Sequence, residues 1–318
     1  MGTNAIRSGL TGAYGGEAWS PRGSGRDDFV AAWGDWGVSS ECGTLRAVLL
    51  KRPGPELEQI DDFDAAQMRA PLDAALARAQ HDGLAAAYEA HGVAVHRVET
   101  GRPDKPNALF CRDLMLMTPA GAIIARPAST VRAGEERFVA EALGRLGLPV
   151  LMSVHGEGTF EGADVSWVNK DLCFLAEGLR TNRAGADQVE WALRSLGAEV
   201  VRVQLPFGAM HLDGLLNFPD RDLAVIWPRR TPFPVWRALK ERGFRFVEVE
   251  DEVEAQECLP MNFVALAPGK ILLPTGGHRL KARYHEAGVE TVEVEVGELI
   301  KAGGGIHCMT AFLRREEV

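Results

Sequence analysis

One unit recurs along this chain and limits what it can fold into. An apolar strand, a tight turn and a second apolar strand occupy 114–125, and the same shape returns at 165–175, 215–226 and 262–273. The turns read Pro-Ala-Gly, Asn-Lys-Asp, Pro-Asp-Arg-Asp and Pro-Gly, which is hairpin chemistry. A helical pattern follows each hairpin, over 135–146, 184–196, 233–242 and 278–287. A short β-branched run then closes each copy, at 148–154, 199–205, 244–249 and 290–296. A period of about 50 residues belongs to rings or arrays of like units.

An incomplete first copy supplies a strand at 45–50, a helix near 71–91 and a strand at 93–98. A last strand, at 306–313, has no unit of its own. Laid beside the 45–50 strand it would complete a fifth copy and close a ring, which leaves no open sheet edge. The expected fold class is therefore α/β: a five-bladed pseudo-symmetric α/β propeller of ββαβ units, spanning 41–318 as one catalytic domain. The stretch 8–27 is rich in Gly, Ser, Thr and Arg without apolar period, so 1–40 is read as a flexible N-terminal arm.

Composition narrows the function. With 35 Lys and Arg against 44 Asp and Glu, the net charge of -9 lacks the basic footprint of a nucleic-acid binder. No run approaches the roughly 18 apolar residues of a membrane span, and no apolar h-region follows the opening Met-Gly-Thr-Asn. Five cysteines, at 42, 111, 173, 258 and 308, form no CxxC pair. They read as reduced thiols of a cytoplasmic protein, with neither a disulfide framework nor a zinc ribbon. A homo-oligomer is compatible with the sequence, which does not fix the state of assembly.

In a ring, polar residues at matching strand ends meet although they are distant in sequence. Phe110-Cys111-Arg112-Asp113 precedes the first full hairpin, 156–164 with Glu161 and Asp164 the second, and His211-Leu212-Asp213 the third. Gly303-Gly304-Gly305-Ile306-His307-Cys308 leads into the closing strand. On spacing alone the plainer reading of Cys308 is a small buried hydrophobe, and that of His211 a satisfied core histidine. Three equivalent positions carrying acids and an imidazole toward one axis argue otherwise. In an extended segment His211 and Asp213 share a face, whereas His307 would point away from Cys308. Gathered carboxylates repel unless a cation sits between them. A planar guanidinium fits such a set through bidentate hydrogen bonds, and a thiol beside it ionises more readily. The constellation reads as a guanidinium cavity with a cysteine aimed at the central carbon.

Taken in order, these motifs, with Arg132-Ala133-Gly134-Glu135 and Leu179-Arg180-Thr181-Asn182, resemble the guanidine-modifying pentein superfamily from Cys42 onward. That superfamily contains dimethylarginine dimethylaminohydrolases, arginine deiminases and amidinotransferases. The resemblance implies metal-free and cofactor-free cysteine chemistry on a five-bladed propeller. By motif matching, Cys308 would attack the guanidinium carbon and His211 would act as general acid and then base. Asp113 and Glu161 would clamp guanidinium nitrogens, with Glu161 in the catalytic set and Asp213 a third acceptor. Phe110 and Asp164 would belong to the binding site, and Arg132 and Arg180 would hold the α-carboxylate of an amino-acid substrate.

The short segment between Val98 and Phe110 lacks the helical insert of typical arginine deiminases. Asp213, however, departs from the Lys usual in dimethylarginine hydrolases and favours an unmethylated or lightly substituted group. The central expectation is hydrolysis of arginine or an Nω-substituted arginine to citrulline plus ammonia or an amine, through a thiouronium-type intermediate. Amidino transfer to an amine is the alternative. A non-catalytic binding protein on the same fold, as among ribosome anti-association factors, would not need the cysteine, histidine and acids. A zinc hydrolase built on His211, Asp213 and Glu161 is a further alternative.

Overall fold

The computed structural model describes residues 9–318, so the first eight residues of the expected arm lie outside the described chain. The chain divides into two compact units, one through Asp35 and the other Trp36–Val318. Within the stretch expected to be an arm, Arg26–Trp33 forms an α-helix.

The second unit contains five three-stranded sheets. In four of them, an antiparallel hairpin is followed by a helix that returns the chain to a third, parallel strand. The first full copy pairs Met115–Thr118 with Gly121–Ile124, crosses over through Glu136–Arg145, and adds Val150–Ser153. The next three copies, beginning at Val165, Leu216 and Val264, repeat this order. The fifth sheet is the predicted closure: Ala311–Arg315 runs antiparallel to Leu45–Leu50, which runs parallel to Ala94–Arg97. This is the five-bladed α/β propeller that the repeat predicts.

The two antiparallel strands of each sheet are buried along nearly their whole length, whereas the third, parallel strand is partly exposed. Val48, Leu49 and Leu50 are wholly buried, as are Leu172, Cys173, Phe174 and Leu175 within their sheet. The covering helix Arg183–Ser195 shows the matching pattern. It buries Ala186, Val189, Ala192 and Leu193 at helical spacing, and Asn182 caps it by accepting the Gly185 N–H at 2.9 Å. At the first hairpin turn Gly121 has φ +128°, and a Cβ there would lie 2.6 Å from the Pro149 carbonyl, so only glycine fits. Among the described residues no helix is long and apolar enough to cross a membrane.

The closing strand differs from its prediction. Ile306–Met309 is a helical turn, and extended chain begins only at Ala311. Side-chain bonds explain the turn. Asn262 Oδ1 accepts the His307 and Cys308 N–H groups at 2.8 and 3.3 Å, and Thr310 Oγ1 donates back to the Ile306 carbonyl at 2.7 Å. Similar short turns, Cys111–Leu114, Gly162–Asp164 and Leu212–Gly214, precede the inner strands of three other blades. These turns carry Asp113, Asp164, Asp213 and Cys308.

Candidate active site

Asp113, His211 and Cys308 arrive on three of these turns and line one narrow cavity with Phe110, Arg132 and Arg180. Cys308 is the free thiol at this cavity. Burial pushes it well above the usual thiol range, the charges of Asp213 and Asp113 add to that, and a hydrogen bond from Asn262 Nδ2 to Sγ at 3.0 Å opposes it. A thiol raised in this way keeps its proton at neutral pH.

His211 Nε2 donates to Glu161 Oε2 at 2.7 Å, while Nδ1 lies 3.8 Å from Asp113 Oδ1. Burial alone would lower its pKa. The carboxylates of Asp113 and Glu161 outweigh burial and raise it to about 10, so the ring is an imidazolium. Glu161, despite burial, is held at about 2 by Arg132 and His211. Asp113 is pushed up by burial, against the pull of His211 and Arg132. Its Oδ1 has no hydrogen-bond partner among the described residues, nor has the buried Nε of Arg180. An orphaned acceptor and an orphaned donor in one cavity each call for a ligand group of opposite kind.

Several expectations are corrected. Arg132 does not stand free for a carboxylate: its Nη1 lies 2.6 Å from Asp113 and 3.4 Å from Glu161, and its Nε donates to Glu135 at 2.9 Å. Three buried acids need compensating charge, and Arg132 supplies it. Arg180 Nη1 reaches Glu161 Oε1 at 3.4 Å. Asp213 is not paired with His211, because the turn at Leu212–Gly214 swings it toward His307, whose Nδ1 donates to Asp213 Oδ2 at 2.9 Å. The carboxylate that groups with Glu161 and His211 is Asp113. Ligand atoms of those three lie within 4.8 Å of one another, close enough for one cation, and the positive charge of Arg132 is set against both carboxylates.

Asp164 does not line the cavity. It accepts from Thr181 Oγ1 at 2.6 Å and from the Leu212 N–H at 3.2 Å, so it pins the backbone beside His211. Burial raises its pKa to about 7. Cys111 is buried with its sulfur near the Ala108 carbonyl and does not line the cavity.

Sequence reasoning missed Asn262, which organises the Cys308 turn and donates to its sulfur. A signal existed: Asn262 precedes the fourth hairpin as Asp113, Asp164 and Asp213 precede the others. It also missed a buried support, in which His307 Nε2 donates to Glu41 at 3.4 Å and Arg112 holds the same carboxylate at 3.0 Å. No local pattern marks Glu41.

Gly304 sits between Phe110 and Cys308. A Cβ there would lie 2.7 Å from the Phe110 ring and 2.9 Å from the Cys308 Cβ. Only a residue without a side chain lets the backbone pass this closely between Phe110 and Cys308.

Known proteins place this arrangement. A family model described as N,N dimethylarginine dimethylhydrolase, eukaryotic, matches residues 55–315. The N(G),N(G)-dimethylarginine dimethylaminohydrolase of Streptomyces coelicolor is 29% identical over 279 residues, 85% of this chain and 97% of that protein. Among solved structures, the Pseudomonas aeruginosa enzyme complexed with citrulline superposes with a TM-score of 0.72 at 22% identity, over 85% of this chain and 99% of the other. The product-bound N-terminal domain of ArgZ, a cyanobacterial arginine dihydrolase, gives 0.73 at 19%, over 85% and 97%. At such identities the two structures speak for the fold, and the family match speaks for descent. This chain belongs to the N,N-dimethylarginine dimethylhydrolase family, within the pentein superfamily.

Proposed function

We propose that this protein hydrolyses a guanidinium C–N bond of arginine or an Nω-substituted arginine, giving citrulline and ammonia or an amine. One observation carries the reading: a thiol and an imidazolium border a single narrow cavity that also presents an unpartnered carboxylate oxygen and an unpartnered arginine nitrogen. Asp113 is matched to guanidinium N–H groups, and Arg180 to the substrate's α-carboxylate. Arg132 shares its cation between Asp113 and Glu161 until the substrate brings its own.

The chemistry follows from the charges. A cation beside Cys308 offsets the burial and the acids that keep its thiol protonated, so the proton leaves to solvent and the thiolate attacks the guanidinium carbon. His211, already protonated, gives its proton to the departing nitrogen as the C–N bond breaks. The neutral imidazole then takes a proton from water, whose oxygen bonds to the same carbon. Collapse breaks the C–S bond, and citrulline leaves. Glu161 holds the imidazole and stabilises its charged form.

In this reading the propeller carries the chemistry, and the expected boundary after residue 40 moves to Trp36, where the second unit begins. The five free cysteines accord with a reducing, cytoplasmic setting. Citrulline release from arginine, monomethylarginine and dimethylarginine by the purified protein tests the proposal, and no product from any of them rejects it. Guanidinylation of an added glycine or aminocyclitol would instead show amidino transfer.

A further inference from the structure

The thiol has a second neighbour. Cys308, His211, Met210, Gly303 and Gly304 separate the narrow cavity, about 20 Å³, from a chamber of about 400 Å³ that these same five residues also line. The chamber is large enough for a ligand of its own, since small-molecule sites run roughly 300–1,000 Å³. Leu215, Trp227 and Leu259 give it apolar walls, and Arg69 and Arg230 give it two cations. Each arginine is held in place. The Arg230 guanidinium lies 4.5 Å over the Trp227 ring, and Arg69 Nη1 donates to the Gln256 carbonyl at 2.7 Å. Arg230 also faces Glu252, at 3.6 Å on a half-exposed edge. The one acid lining the chamber, Asp213, already accepts from buried His307.

We propose that this chamber receives the Nω-substituent of the substrate, and the amine it becomes, and that it is built for an apolar stem ending in a carboxylate. The inference rests on the hydrolase reading and names its substrate class: an arginine whose terminal nitrogen bears a carboxyalkyl chain. The amino-acid end is directed toward Arg180 through the narrow cavity, which has to widen beyond about 20 Å³ to admit it. The guanidinium carbon meets Cys308 at the wall shared by both spaces, and the substituent passes beyond it. Thiolate attack forms the C–S bond, the bond from carbon to substituted nitrogen breaks, and that nitrogen takes the His211 proton. The products after water attack are citrulline and an ω-amino acid. A dimethylamine leaving group, with three heavy atoms and no negative charge to offer Arg69 or Arg230, would leave most of the chamber unfilled.

The test compares citrulline release from arginine, Nω,Nω-dimethylarginine, Nω-(3-carboxypropyl)arginine and its uncharged carboxamide isostere. The carboxylate compound is expected to exceed both dimethylarginine and the carboxamide in kcat/KM by about tenfold or more. Arg230→Gln, and separately the exposed Arg69→Gln, should each shrink the carboxylate-to-carboxamide ratio severalfold, mainly through KM. A ratio near one, or a ratio that neither variant moves, overturns the chamber assignment while citrulline from arginine keeps the hydrolase reading intact. Citrulline from none of the four rejects the hydrolase reading instead. The chamber is then judged by calorimetric binding of the same pair to the Cys308→Ser protein: a tenfold preference that Arg230→Gln removes supports it, and equal affinities refute it.

Discussion

Glu161 Oε2 accepts a hydrogen bond from His211 Nε2 at 2.7 Å, and this contact sets the protonation of the site. With Asp113, it lifts the imidazole to about 10 against the effect of burial. Glu161→Gln keeps a hydrogen-bonding group but removes the charge. The His211 pKa should fall by more than one unit, read by NMR titration of the ring. Turnover should drop by about 10² or more as the acid for the leaving amine is lost. An unchanged ring pKa would show that Asp113 alone holds the proton.

Raising a histidine's pKa also ties it to stability. The folded value of about 10 lies above the ordinary 6.5, so His211 contributes stability that is fully present below about pH 6.5 and lost as pH rises through 10. Urea midpoints between pH 7 and 10.5 should fall more steeply in the parent than in Glu161→Gln.

Cys308 awaits a cation. At pH 7 alkylation by chloroacetamidine, which carries an amidinium, should outpace alkylation by neutral chloroacetamide by about 10² or more, beyond their difference with a free thiol. Equal enhancement for the two reagents would mean the thiolate exists without a positive partner. Mass spectrometry of the modified peptide identifies the site.

Asn262→Ala removes the donor to Sγ and the acceptor that folds the Cys308 turn. Activity should fall by at least about tenfold, and the pH dependence of Cys308 alkylation should move upward, since a hydrogen bond to the thiolate is gone. Loss of activity with an unmoved alkylation profile would limit Asn262 to shaping the turn.

His81 gives a prediction away from the site. It is wholly buried, neither ring nitrogen has a partner among the described residues, and burial holds its pKa at about 3. The unfolded chain therefore binds a proton below about pH 6.5 that the folded chain refuses, and stability declines from there toward pH 3. His81→Leu should match or exceed the parent at pH 7 and gain about 2 kcal/mol on it at pH 5, read from urea unfolding.

The ring was legible because its hairpins, helices and strands repeat with the same turn chemistry, and each blade's pattern supports its neighbour's. Cys308, His211, Asp113 and Glu161 were legible because equivalent positions in a ring must converge. What failed were side-chain directions inside the turns. Alternation along an extended chain puts His211 with Asp213. A single 3-10 turn at Leu212–Gly214 separates them, and nothing in the local pattern announces it. The ion pairs of Arg132 were out of reach for a different reason. Its partners Asp113, Glu135 and Glu161 come from separate segments, and charge balance among buried acids is a property of the assembled ring. Asn262 was within reach of the repeat argument had the fourth copy been treated like the first three.

The seal between Ala311–Arg315 and Leu45–Leu50 has a consequence for how the molecule comes into being. Those partners are separated by most of the polypeptide, so their meeting carries one of the largest loop-closure penalties in the fold. The sulfur rides immediately ahead of the sealing strand and the supporting Glu41 immediately ahead of its partner. An intermediate with four blades formed and the fifth unsealed would thus hold acids and imidazole but have its reactive atom adrift, so competence for chemistry and completion of the circle should appear together.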